Sequence, residues 1–184
     1  FLNSSYKSNA TEGEEPTEEP TEEAKTLQCQ CPVEVVPYHI RNQKSTALGL
    51  DLKTKFNFLA VAQWGPRKNL ENTIAWFVEE FKNNRDVGLV VKANMARNCN
   101  IDFEITSKAI KQVIAAVDPG NEKKCRVYLL HGDLTEEQMG SLYNDRKIKA
   151  IVSATHGEGF GLPLFEAVCH KLPVVATNAT GHVD

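Results

Sequence analysis

The chain is poor in everything that would anchor it, staple it or give it a single-sign field. No apolar run approaches the roughly 20 residues a helix needs to cross a bilayer, and nothing near Phe1 has the layout of a secretory signal. Five cysteines, at 29, 31, 99, 125 and 169, are odd in number and scattered over 184 residues. That pattern excludes a disulfide framework and favours a reducing compartment, either the cytoplasm or the cytoplasmic face of a membrane. Cys29-Gln30-Cys31 has no second Cys or His pair near it in sequence, so free thiols are expected there rather than a zinc site. The triplets at Asn3, Asn9 and Asn178 are glycosylation acceptors only if the protein is secreted. The formal net charge is −3, and residues 1–28 hold seven acids against two bases, leaving the remainder at about +2. Without a basic field there is no case for nucleic acid as a partner. No Gly-x-Gly-x-x-Gly follows the first strand, which removes support for an ordinary dinucleotide-binding domain. Tandem repeats are also absent.

What is present divides by composition into three parts. Residues 1–28 read as a remnant plus an acidic segment, with seven Glu in residues 12–23 and nothing to bury, so a solvated spacer is expected. Because the chain begins with Phe1, it is expected to be an incomplete fragment. Residues 29–55 read as a linker strand around Val33–Ile40, broken by Pro37, and a polar connector. From residue 56 to 184, short apolar runs alternate with amphipathic stretches. Phe56–Ala62, Val87–Lys92, Arg126–Leu130, Lys149–Ser153 and Pro173–Thr177 are expected strands. Leu70, Ile74, Phe77, Val78 and Phe81 mark one helical face, with Asn69 as its N-cap. Ile105, Ala109, Ile110, Val113, Ile114 and Val117 mark a second, ended by Asp118-Pro119-Gly120. Thr135 to Gln138 has the form of a capping box, with Met139, Leu142 and Tyr143 facing inward. Five alternations with short links predict an α/β fold built on a parallel, doubly wound, Rossmann-like sheet.

The stretch with most chemical content is 153–168. A buried strand runs into glycines at 157, 159 and 161, and Pro163 then stands at the expected first position of a helix. The unpaired first-turn amides and the helix dipole make such a junction receptive to an anion. Glu158 lies in the loop and Glu166 on the helix, a pairing suited to a ligand with both phosphates and hydroxyls. A second loop, Gln63 to Asn69, ends the first strand and brings Arg67 and Lys68 to a helix start, where cations oppose the dipole. Lys92 ends its strand on the same rim. Lys171 stands where a glycine would ordinarily follow a helix, so a left-handed residue is expected there. His156 and His182 are read as plain loop histidines.

The spacing Glu158-Gly-Phe-Gly-Leu-Pro-Leu-Phe-Glu166, with Pro173-Val174-Val175 and Thr180-Gly181-His182 downstream, resembles the E-x7-E signature of retaining glycosyltransferases of the GT-B fold, family 4 type. The resemblance implies the C-terminal, donor-binding half of such an enzyme, which alone would bind a nucleotide-diphosphate sugar but turn over little. It implies that Glu158, Lys68 and Arg67 serve the chemistry, with the two cations offsetting charge on the leaving diphosphate. It further implies that Glu166 takes the ribose hydroxyls and that the amides of Gly159, Phe160, Gly161 and Leu162 hold phosphate and sugar. Gly132 and Leu134 would lie against the nucleobase. No metal or cofactor is expected, since the cations replace one and no Asp-x-Asp is present. The acceptor, whether glycan, lipid or protein, would be bound by an N-terminal domain missing from the chain. The alternative is a non-catalytic, glycosyltransferase-like module kept for assembly, with the acidic segment as its docking element.

Overall fold

The computed structural model describes residues 48–183, all within the compact unit His39–Asp184. The acidic segment, Cys29, Cys31 and the linker strand lie outside the described residues. Five parallel strands form one sheet: β1 (Phe56–Gln63), β2 (Val87–Asn94), β3 (Arg126–Leu130), β4 (Ile148–Ser153) and β5 (Val174–Ala176). Their order is β3-β2-β1-β4-β5, with every pairing parallel. Four helices connect them: α1 (Leu70–Phe81), α2 (Asn100–Val117), α3 (Glu136–Tyr143) and α4 (Leu162–Cys169).

Strand alternation sorts the side chains into two cores. Ala60, Leu89 and Val91 pack with Leu70, Ile74, Phe77 and Val78 of α1 and Ile110 of α2. Leu59, Val90 and Ile151, one residue out of phase, pack with Leu142 and Tyr143 of α3 and Leu164 and Ala167 of α4. The sheet is therefore sheathed on both faces, which is why its inner strands read as apolar runs rather than alternating ones. Each large side chain removed from water in this way contributes about 1.5–3 kcal/mol. Residues 48–54, expected as polar connector, add to the second core: Leu52 and Thr54 are buried, and Leu48 and Leu50 pack against it.

Local expectations fared unevenly. The capping box at α3 is present, with Thr135 Oγ1 accepting from the Gln138 amide at 3.2 Å and the Gln138 side chain accepting from the Thr135 amide at 2.9 Å. Asn69 does precede α1, but its side chain caps nothing; it donates to the Ala154 carbonyl at 2.9 Å instead. Ile105 does not face the core. It is 51% exposed, and the buried stripe of α2 runs through Asp102, Thr106 and Ile110. Helix α4 begins at Leu162, so Pro163 is its second residue, where a missing N–H still costs nothing.

Lys171 adopts the expected left-handed conformation, with φ 61°. A non-glycine residue in that region costs about 1 kcal/mol. Lys171→Gly is therefore expected to raise stability in urea by ~0.5–1 kcal/mol, partly offset by the freer unfolded chain.

Gly88 serves another purpose. The Asn57 side chain fills the space beside it, paired with Thr54 Oγ1, while Asn57 Nδ2 donates to the Lys147 carbonyl at 3.0 Å. The Tyr128 hydroxyl sits 3.1 Å from Thr54 Oγ1 and accepts from the Lys53 amide at 3.0 Å. This polar cluster ties residues 53–54 to β1 through Asn57 and to β3 through Tyr128.

Candidate functional site

In a sheet ordered β3-β2-β1-β4-β5 the winding reverses between β1 and β4, and sheets of this kind bind ligands beyond the C-terminal ends of the strands at such a switch point. The loops after those two strands meet there. After β1 the chain makes a 3-10 turn at Pro66–Lys68, then passes through Asn69 in the left-handed region with φ 53°. That turn is sewn to the loop after β4 by three bonds besides those of the charged side chains. The Asn69 amide group donates to Ala154, and the Arg67 carbonyl accepts from the His156 amide at 2.8 Å and from Thr155 Oγ1 at 3.0 Å.

The charged side chains are thereby brought together. Lys68 Nζ lies 2.5 Å from Glu158 Oε1, and Arg67 Nη1 lies 3.2 Å from Glu158 Oε2. Arg67 also donates to the Gly157 carbonyl. The Glu158 side chain is 10% exposed and that of Lys68 18%, whereas Arg67 is largely open to solvent. Burial pushes the Glu158 carboxyl up, but the Lys68 ammonium and the Arg67 guanidinium outweigh it and hold the group below the usual carboxylate range. Glu158 is thus an ionised carboxylate gripped by two cations at the switch point of the sheet.

A strap formed by residues 177–183 holds the glycine loop in place. Thr180 Oγ1 accepts from the Glu158 amide at 2.9 Å, the Gly181 amide donates to the Glu158 carbonyl at 3.0 Å, and Thr177 Oγ1 donates to the Thr155 carbonyl at 2.9 Å. A Cβ at Gly181 would overlap the Gly159 carbonyl, so only glycine allows this approach. His182 joins the strap, its Nε2 donating to the Thr177 carbonyl at 2.7 Å; His156 is exposed. Among the described residues no backbone carbonyl accepts from the amides of Gly159 or Gly161, and Gly161 is the left-handed N-cap of α4, with φ 76°. Leu162 opens the helix and Phe160 is 49% exposed at the loop tip, against Phe165.

Glu166 stands one turn into α4, apart from the Arg67–Lys68–Glu158 cluster in its bonding. Its Oε2 accepts from the Tyr143 hydroxyl at 2.8 Å. Gly132 and Leu134 lie after β3, three strands away from β4, or about 14 Å at the usual strand spacing. Lys92 makes no contact with Glu158; its Nζ donates to the Gly132 carbonyl at 2.7 Å and braces that loop. Burial lowers its ammonium pKa against the pull of Asp133. His131 is also bound, its Nε2 2.8 Å from Asp102 Oδ2; the same carboxylate accepts from the Met95 amide through Oδ2 and from the Ala96 amide through Oδ1. Sequence reasoning passed over Thr155, Asp102 and the hydroxyl of Tyr143, because a threonine, an aspartate and a tyrosine at these places read as ordinary core or cap residues. No group of three or more His, Cys, Asp or Glu positioned for a metal occurs among the described residues. Nor is any helix among them long and apolar enough to cross a membrane.

Comparison with known proteins bears on the family and the fold. Residues 49–184 match the family described as glycosyl transferases group 1. The chain is 30% identical over 119 residues to the serotype-specific mannosyltransferase WbdA of Escherichia coli, a match covering 65% of the chain and 13% of that protein. Among solved structures it resembles the C-terminal domain of a glycosyl transferase group 1 family protein, LpcC, from Francisella tularensis. That likeness has a TM-score of 0.52 and 24% identity, covering 70% of this chain and 60% of the other. The N-terminal domain of trehalose-6-phosphate phosphatase from Candida albicans is similar in fold, with a TM-score of 0.51 at 12% identity over 70% of this chain and 29% of that one. The chain thus spans about an eighth of the curated relatives it matches. With the family model covering the whole of the sheet-forming region, the chain belongs to the glycosyl transferases group 1 family, and its parallel α/β fold is that of the family's C-terminal domains.

Proposed function

We propose that this domain binds the nucleotide-diphosphate sugar used by a retaining glycosyltransferase, at the switch point between β1 and β4. The observation that carries the reading is the convergence of Lys68, Arg67 and Glu158 at the switch point of the sheet, beside the N-terminus of α4. In this reading the donor's diphosphate lies on the amides of Gly159, Phe160, Gly161 and Leu162. Lys68 and Arg67 turn from Glu158 toward it. As the sugar–phosphate bond breaks, negative charge accumulates on the departing diphosphate, and the two cations, carried to it on the sewn loops, stabilise it where it forms. Glu158, released from Lys68, accepts hydroxyls of the transferred sugar. Glu166 accepts the ribose hydroxyls, and the loop of Gly132 and Leu134 receives the base. Charge compensation comes from these side chains, so no metal or cofactor enters this reading. The acceptor is met by a second domain, and the transferred sugar keeps its anomeric configuration.

Calorimetric titration of the chain with UDP, GDP and ADP, and with their sugar conjugates, tests this. One nucleoside diphosphate should bind. Glu166→Ala should weaken it about tenfold with or without the sugar, the cost of a charge-assisted hydrogen bond. Glu158→Gln should instead erase the added affinity of the sugar conjugate and leave the bare nucleotide bound at least as well, because the cations lose their internal rival. Absence of binding to every nucleotide, with the circular dichroism of the native fold intact, would refute the reading. Turnover by the full-length protein separates an enzyme from an assembly module that kept the site.

A further inference from the structure

We infer that Tyr143 is a positioning residue of the donor site, aiming the Glu166 carboxylate at the nucleotide's ribose hydroxyls. The inference rests on the donor-binding reading above. Tyr143 is the last residue of α3 and is only 3% exposed, packed in the core beneath α4. Its hydroxyl is the polar end of an otherwise apolar site and donates to Glu166 Oε2 at 2.8 Å. The ring is stacked on His170, with centroids 5.6 Å apart and planes 25° from parallel. His170 is fixed in turn by Asn144, whose Nδ2 lies 3.0 Å from its Nδ1. Phenol, imidazole and carboxamide thus form a rigid support reaching from α3 to the glutamate on α4.

The chemistry of that support is one-sided. The phenol can donate only one proton, and Oε2 takes it. Among the described residues no other side chain bonds Glu166, so Oε1 is left to accept from a ligand. Burial and the nearby Glu166 charge raise the Tyr143 pKa well above the ordinary phenol range, so the group remains a donor throughout neutral pH. A free glutamate has three rotatable bonds, and ordering it at binding weakens affinity; one held beforehand avoids that loss. A buried tyrosine hydroxyl needs some acceptor, and here that acceptor is a carboxylate on the helix that opens at the glycine loop.

The test compares a ribonucleoside diphosphate with its 2′,3′-dideoxy analogue, using whichever base the titrations above select. In the wild type the ribonucleotide should bind the tighter of the two. Tyr143→Phe, which keeps the ring, should weaken the ribonucleotide about fivefold to tenfold, the order of one ordinary hydrogen bond, and leave the dideoxy analogue unchanged. Added to Glu166→Ala, it should change nothing further. If Tyr143→Phe does not fold, His170→Ala, at a half-buried position, should give a smaller loss with the same selectivity for the hydroxyls. Equal weakening of both nucleotides, or no weakening of either, overturns the positioning role while leaving the donor site standing. Failure of the wild type to bind either nucleotide overturns both, and is distinguished by that baseline.

Discussion

Lys68→Ala should lower affinity for the bound nucleoside diphosphate by roughly 30- to 150-fold, or about 2–3 kcal/mol. The magnitude follows from position. Lys68 is the more sheltered cation of the pair, its side chain 18% exposed where that of Arg67 is 60% exposed, so its interaction with an anion is the less screened by water. Removing it also leaves Glu158 beside the phosphates with only Arg67 to balance it, which adds repulsion to the lost attraction. Arg67→Ala should therefore have the smaller effect, about fivefold. The pair has a pH signature as well. The folded-state pKa of Glu158 is depressed, so the stability it contributes is present above the unfolded carboxyl pKa of about 4.3 and is lost as pH falls through the folded value. Titrations at pH 7.5 thus compare variants with Glu158 fully ionised. If Lys68→Ala bound the nucleotide as tightly as the wild type, the cation would have no part in holding phosphate.

Gly88→Ala should destabilise the fold by about 4 kcal/mol, read as a fall in the urea midpoint at unchanged slope. A Cβ there would overlap Asn57 Oδ1 and come within 2.7 Å of Thr54 Oγ1 and 2.9 Å of the Tyr128 ring. Asn57 is fully buried and hydrogen-bonded to Thr54 and to the Lys147 carbonyl, so it cannot swing into solvent. Either the strands β1 and β2 part locally, or the amide leaves its partners and a buried polar group goes unpaired; both are costly. Domains of this size are stable by only about 5–15 kcal/mol, so the variant should be marginal at 37 °C. A loss below about 1 kcal/mol would mean that the polar cluster rearranges freely and does not fix the sheet's lower edge.

These two residues also show how far the sequence could be read. Lys68 was legible as a candidate because a cation at a helix start is locally unfavourable, and the end of a strand is where such sheets meet ligands. Its partner was not legible as a partner. Glu158 is 90 residues away, and their contact depends on Asn69 and Thr155 sewing two loops together, bonds that leave no periodic trace. Gly88 looked like an unremarkable strand residue; the reason for it lies in the Asn57 side chain on the neighbouring strand. The sheet itself was readable, since strands buried on both faces must be apolar runs and helices with one buried side must repeat every 3.6 residues. The start of α2 was not, because Cys99 makes no side-chain cap and Ile101, Phe103 and Ile105 turn outward against the usual rule. Tyr143 was placed in the core, where it is; that its hydroxyl grips Glu166 depends on how α3 packs beside α4.

A crystal of this chain soaked with the nucleoside diphosphate that titration selects tests the central claim most directly. The account predicts the terminal phosphate within hydrogen-bond distance of Lys68 Nζ and of the amides between Gly159 and Leu162, with Glu158 released from the lysine and the ribose hydroxyls on Glu166. A nucleotide bound elsewhere while Lys68 stays paired with Glu158 would contradict it.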